Sequence, residues 1–120
     1  MSAPLHITQR SAAGVVIFEL HGRLVFEDGD EVFRECVSSL IKTGPLALLV
    51  DLHDVGYMDS AGIGALVEGY LRITRRGGEM RLLSPSDHVQ RVLDITRLST
   101  VLEVFHDESS ALRKFNHIHA

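Results

Sequence analysis

Two residues that could do chemistry stand side by side at Asp59 and Ser60, at the head of the stretch Asp59-Ser60-Ala61-Gly62-Ile63-Gly64. That stretch follows an uninterrupted apolar run, Leu46 to Val50, and opens an amphipathic helical pattern, so it places a hydroxyl at a strand-to-helix junction. A serine there can accept a hydrogen bond from the free backbone N–H groups of the first helical turn and so cap the helix. The same N–H groups, together with the positive end of the helix dipole, favour negative charge, so the position could also carry a phosphate. Ser60 is therefore read in two ways, as a helix N-cap or as a phosphoacceptor.

Other chemistries find less support in the spacing. Gly62 and Gly64 belong to neither Gly-x-x-x-x-Gly-Lys nor Gly-x-Gly-x-x-Gly, which argues against a nucleotide-cradling loop. Glycine also permits close backbone approach, and either the fold or a partner could use that freedom. A hydrolase nucleophile elbow needs glycine two residues before the serine, where this chain has Met58. His53 lies among Asp51, Asp54 and Asp59, but the chain's seven histidines include no His-Glu-x-x-His and no repeated ligand interval. No metal and no cofactor are expected. Cys36 shares the apolar stripe of a helix and reads as core packing, and Arg72, Arg75 and Arg76 read as the solvated basic end of another.

The elements that must position these residues are legible in the periodicity. Leu5 and Ile7 alternate with polar neighbours, and Val15, Ile17 and Leu20 recur in a β-branched segment, predicting a hairpin joined near Ala12-Ala13-Gly14. From Asp28, the residues Val32, Phe33, Cys36, Val37, Leu40 and Ile41 fall at helical spacing, with Gly44-Pro45 as the stop. Leu46 to Leu52 reads as a strand buried on both faces, as in sheets with crossover helices. A second helix is expected from about Ser60 to Arg76, with Leu66, Val67, Tyr70, Ile73 and Thr74 on or near its inner stripe and Gly77-Gly78 ending it. A strand at Glu79 to Ser84 follows, then a helix introduced by Pro85 and Ser86 that carries Val89, Val92 and Leu93. A brief strand at Glu103 to His106 precedes a closing helix from about Asp107, with Ala111, Leu112, Phe115 and Ile118 inward. Strand–helix alternation after an opening hairpin predicts an α/β fold with a mixed β-sheet and packed α-helices.

With 120 residues and no linker-like or low-complexity segment, the chain reads as one domain able to bury a core. A net charge of −4 argues against direct binding to nucleic acid or anionic lipid and favours a protein partner. One cysteine excludes an internal disulfide, no apolar run approaches a membrane span, and Met1 to Arg10 lacks the apolar core of a signal peptide. A cytoplasmic location is expected.

The series Leu49-Val50-Asp51-Leu52, Val55 to Met58, Asp59-Ser60-Ala61-Gly62-Ile63-Gly64 and Gly77-Gly78-Glu79-Met80 closely resembles the STAS domain of bacterial anti-sigma factor antagonists. Gly22-Arg23-Leu24 looks like that family's exit from the second strand, and Asp107-Glu108 to Phe115 like its closing helix, so the resemblance implies a STAS domain over residues 1–120. It further implies that Ser60 is phosphorylated by a GHKL-type serine protein kinase that is also an anti-sigma factor, with ATP held in that partner. On this implication the unphosphorylated form binds the partner through Asp59, Ser60, Ala61, Gly62, Ile63 and Gly64 and frees the sequestered sigma factor. The domain itself would be no enzyme, and it would be a monomer or weak dimer. A stressosome-like scaffold or an accessory subunit of a transport system is the alternative the same resemblance allows. The chain departs from many relatives at Val25-Phe26-Glu27, in a loop that commonly borders the partner surface. It also has Ala61 where many have serine, leaving Ser60 the only hydroxyl of the motif.

Overall fold

The computed structural model describes residues 4–115. Strands β1 (His6–Ala12) and β2 (Val15–Leu24) form an antiparallel hairpin in which Ala12 lies opposite Val15. Its two turn residues, Ala13 and Gly14, both take positive φ (54° and 79°), the backbone that matches strand twist in a two-residue hairpin loop. From β2 onward β3 (Ala47–Met58), β4 (Glu79–Leu83) and β5 (Val104–Phe105) run parallel, and the sheet order is β1-β2-β3-β4-β5. Helices α1 (Gly29–Thr43), α2 (Ser60–Thr74) and α3 (Asp87–Ile95) make the crossovers, α3 with a 3-10 turn at Leu98–Thr100, and α4 (Glu108–Lys114) closes the described chain. Parallel neighbours taken in sequence order by right-handed crossovers place those helices on one face.

Burial follows that arrangement. Val16, Phe18 and Leu20 of β2 and Leu48, Val50 and Leu52 of β3 pack with Phe33, Val37 and Leu40 of α1, Leu66 and Ile73 of α2 and Val89 and Leu93 of α3. The alternate residues Val15, Ile17, Ala47 and Leu49 meet Ala111 of α4 and Phe115 in a second, smaller core. Both faces of β2 and β3 are apolar at this end because both are covered. Beyond the reach of the short α4, the same face carries Thr8, Glu19 and His21, whose side chains bond one another.

The structure corrects several boundaries. The central strand does not stop at Leu52 but continues through Met58, pairing His21 with Asp54, Arg23 with Tyr57 and Leu24 with Met58 across two register shifts. Polar residues break the apolar run there because one face has lost its helix. Helix α2 ends at Thr74, so Arg75 and Arg76 belong to the turn that leads to Gly77, at φ +83°. Its buried face is made by Gly62, Ala65, Leu66, Gly69 and Ile73, while Val67 is only half-buried. Small residues dominate because α1 comes close: a Cβ on Gly69 would lie 3.1 Å from the Phe33 ring. The expected inward placement of Ile118 lies outside the described residues.

Candidate functional site

Strand β3 delivers the chain to Asp59, whose extended backbone (φ −102°, ψ −173°) is that of a helix N-cap. Asp59 Oδ1 accepts from the Gly62 amide at 3.0 Å, and the Asp59 carbonyl accepts from Ile63 N at 3.0 Å. The cap is therefore Asp59, and Ser60 is the first helical residue, which corrects the N-cap reading of Ser60. Both types cap well, but the helix begins one residue earlier than that reading needs, so the Asp59 carboxylate reaches the amide three residues on. Freed from that duty, the Ser60 side chain is exposed at the positive end of a 15-residue helix.

The second oxygen of the same carboxylate does different work. Asp59 Oδ2 accepts from the backbone N–H of Phe26 at 3.1 Å, tying the loop between β2 and α1 to the start of α2. That loop is pinned elsewhere too: Asp30 N donates to Val25 O at 3.1 Å, and Asp30 Oδ1 accepts from the amides of Asp28 (3.2 Å) and Glu31 (2.8 Å). Glu27 is forced to φ +61°, a left-handed conformation that non-glycine residues seldom take. The loop thus presents Phe26 with 64% of its surface exposed, beside the Asp59-Ser60 junction.

The two glycines of the motif have different duties. A Cβ on Gly62 would fall 2.0 Å from the Leu24 carbonyl oxygen, so Gly62 lets α2 start directly against the end of β2. A Cβ on Gly64 would meet nothing within 4 Å. Gly62 is buried, Asp59, Ala61 and Ile63 are half-buried, and Ser60 and Gly64 are exposed. The outward surface of this corner accordingly comprises Phe26, Ser60 and Gly64, with edges of Ala61 and Ile63.

Charge near the site is organised by Asp30. Burial alone would raise its carboxyl, but hydrogen bonds from Arg34 and from the Asp28 and Glu31 amides outweigh it and leave the group below the ordinary carboxylate range. Arg34 bridges Asp30 Oδ2 (3.0 Å) within α1 to Glu68 Oε1 (3.0 Å) on α2, clamping the two helices that flank the loop. Cys36 is partly buried against the main core, and that burial pushes its thiol up, away from nucleophilic thiolate. Arg76 Nη1 donates to the Arg72 carbonyl at 3.0 Å, so the Arg76 side chain serves the helix end. Among the described residues no three of His, Cys, Asp and Glu gather to hold a metal ion.

The mixed five-stranded sheet that carries this corner has counterparts among known proteins. A sequence profile of the STAS domain matches residues 6–111. The chain belongs to the STAS domain family. Among similar proteins is the anti-sigma-B factor antagonist of Listeria monocytogenes, 38% identical over 104 residues that span 87% of this chain and 90% of that one. The crystal structure of an anti-sigma factor antagonist from Mycobacterium paratuberculosis has a TM-score of 0.84 at 19% identity, covering 97% of this chain and 99% of its own. The Bacillus antagonist SpoIIAA is similar in its unphosphorylated form (TM-score 0.74, 90% and 95% covered) and its phosphorylated form (0.69, 90% and 98%), both at 19% identity. At that identity these structures speak to the fold, a STAS fold with a mixed sheet and four described helices.

Sequence reasoning placed the six motif residues of this STAS domain at one corner but missed what joins them to the preceding loop. Phe26 was visible only as a departure from the family pattern. Its tie to Asp59 joins residues 33 positions apart, which no local periodicity could signal.

Proposed function

We propose that this STAS domain is an anti-sigma factor antagonist, a regulator and not an enzyme, whose switch is phosphorylation of Ser60. Named relatives that match most of the chain support the antagonist role. The observation that carries the choice of residue is the division of labour at the junction: Asp59 caps the helix, and Ser60 is left exposed at the dipole's positive end. The partner is an anti-sigma factor that is also a GHKL-type serine kinase, met in the cytoplasm by a monomer or weak dimer whose domain takes in the whole of residues 1–120.

In the unphosphorylated state, the surface of Phe26, Ser60, Gly64 and the edges of Ala61 and Ile63 docks on the partner, displacing the sigma factor. Phosphoryl transfer forms a bond between Ser60 Oγ and the γ-phosphorus of ATP held by the partner. The bond to the ADP leaving group breaks, and the hydroxyl proton passes to a base of the partner. The product carries about −1.5 to −2 added charges beside Asp59, and burying that group at an interface without matching cations is costly. The complex therefore separates.

Incubation with the cognate kinase and ATP, followed by peptide mass mapping, tests the assignment. Phosphate is expected on Ser60. Ser86 is a poor competitor, since its half-buried hydroxyl donates to the Val55 carbonyl at 2.7 Å and caps α3. Phosphate chiefly on Ser84, Ser86 or Ser99 refutes the assignment.

A further inference from the structure

Strand β1 has a neighbour on one side only: among the described residues the sheet ends there, and the whole of His6–Ala12 presents an open edge. Backbone N–H and C=O groups along such an edge are a template for pairing with another strand, and sheets ordinarily guard it with charges, proline, bulges or very short strands. The opposite edge follows that rule, since β5 is only Val104–Phe105. β1 does not. It carries no proline, lysine or acidic residue between His6 and Ala12, and its pairing with β2 runs without a bulge. Its one arginine is engaged within the chain: Arg10 is held by Glu19 at 3.0 Å and by Glu108 of α4 at 2.6 Å, so its charge is already compensated.

The turn fixes which backbone groups face outward. Ala12 and Val15 close a two-residue loop, so they exchange both hydrogen bonds, and the alternation of an antiparallel ladder then turns the N–H and C=O of Arg10, Thr8 and His6 toward β2. Those of Ile7, Gln9 and Ser11 are left facing the open side. These residues are spaced symmetrically about Gln9. A second strand of the same sequence, running antiparallel about a two-fold axis at Gln9, sets Gln9 opposite Gln9 and Ile7 opposite Ser11, so the outward N–H and C=O of all these residues find partners. The register overlaps the whole of His6–Ala12, with Thr8 opposite Arg10, and it brings no like charges face to face.

We propose that β1 is a self-association edge through which a second copy of this chain joins, its five-stranded sheet continuing the first across the Gln9 axis. The contact uses the same edge on both copies and so closes on itself, giving a dimer and not a fibre. A single strand pair of this length lies below the size of a stable interface, so the dimer is weak and forms as concentration rises. The proposal does not rest on the switch at Ser60, because Ser60 follows β3, which β2 separates from this edge.

Sedimentation of the full chain from micromolar to millimolar concentration reads the association, and amide hydrogen exchange over the same range reads the edge. A monomer–dimer equilibrium is expected, with the Ile7, Gln9 and Ser11 amides gaining protection as concentration rises and the Thr8 and Arg10 amides, already bonded to β2, unchanged. Gln9→Pro deletes an outward donor at a position where an edge strand accepts proline, so it should keep a native amide spectrum and weaken the dimer by about tenfold or more. Gln9→Lys, at an exposed side chain, places like charges at the axis and should weaken it by about fivefold. An equimolar mixture of Gln9→Lys and Gln9→Glu should associate more tightly than either variant alone, which tests the axis without the proline. A monomer throughout the range, a dimer that natively folded Gln9→Pro leaves intact, or a mixture no tighter than its components would overturn the proposal.

Discussion

Replacing Asp59 by alanine and by asparagine separates the two tasks of one carboxylate. Alanine removes both the acceptor for Gly62 N and the acceptor for Phe26 N. Loss of an N-cap costs about 1 kcal/mol. The Phe26 amide bonds a charged group, but it lies at an exposed loop where water can replace it, so its loss costs roughly 0.5–1 kcal/mol. Asp59→Ala should therefore destabilise the domain by about 2 kcal/mol, a fall in melting temperature of roughly 6–10 °C for a chain of this size. Asparagine caps as well as aspartate does, and its one carbonyl oxygen can stay with Gly62 N. Its amide nitrogen is a donor and would then face the Phe26 N–H, donor against donor. Asp59→Asn should lose only the loop tie, roughly 0.5–1 kcal/mol. Urea unfolding gives the two stabilities. Amide hydrogen exchange locates them, with Phe26 losing protection in both variants and Gly62 in Asp59→Ala alone. Equal destabilisation by the two substitutions, or a Phe26 amide protected equally in Asp59→Asn and the wild type, would refute the claim that the carboxylate joins loop and helix.

Gly62→Ala, whose Cβ would sit 2.0 Å from Leu24 O, should cost roughly 3 kcal/mol or more, whereas Gly64→Ala, in open space, should gain up to about 1 kcal/mol of helix propensity; unfolding midpoints that rank them otherwise contradict the division of labour between the glycines. Because the folded Asp30 carboxyl sits below its ordinary range, its contribution is complete above the unfolded pKa and is lost as pH falls through the folded one. Stability measured from neutral pH down to about pH 2 should thus fall less steeply in Asp30→Asn than in the wild type, and parallel acid limbs would dismiss the effect. Ser60→Asp should weaken the complex with the anti-sigma factor while Ser60→Ala preserves it, as read by calorimetry; equal affinities would remove charge from the mechanism.

Much of this fold is written in short-range periodicity. The alternation of Val15, Ile17 and Leu20 and the helical spacing of Phe33, Val37 and Leu40 each reflect one face meeting one core, so local pattern and tertiary burial agree. The pattern fails where a residue's surroundings are built by distant chain. The strand expected to end at Leu52 runs on to Met58: beyond Leu52 its uncovered face is polar, yet its backbone still pairs with β2. Gly62 and Gly64 are identical by type and nearly so by position. Only the Leu24 carbonyl, arriving from another strand, makes one of them indispensable to the packing. Asp59 and Ser60 are both good caps, and a one-residue difference in where the helix begins decides which is bound and which is free.

That one-residue difference bears on how a phosphate could act here without unmaking the fold. The backbone hydrogen bonds that fix the junction end on Asp59 or on the Leu24 carbonyl: Gly62 N and Phe26 N on the carboxylate, Ile63 N on the Asp59 carbonyl, and Asp59 N on the Leu24 carbonyl at 3.3 Å. A group added to Ser60 Oγ would remove none of these. It would bring charge to the favourable end of the α2 dipole while standing beside the Asp59 carboxylate, two effects of opposite sign, so little net strain is passed to the core through Leu66 and Ile73. SpoIIAA shares this chain's fold in both its unphosphorylated and its phosphorylated form. A serine that capped its own helix would have to give up that bond to be modified, and the switch would then act on folding as well as on binding. With the cap on Asp59, the free energy of a phosphate placed on Ser60 would fall almost wholly on the exposed surface beside it, where we propose that a partner docks.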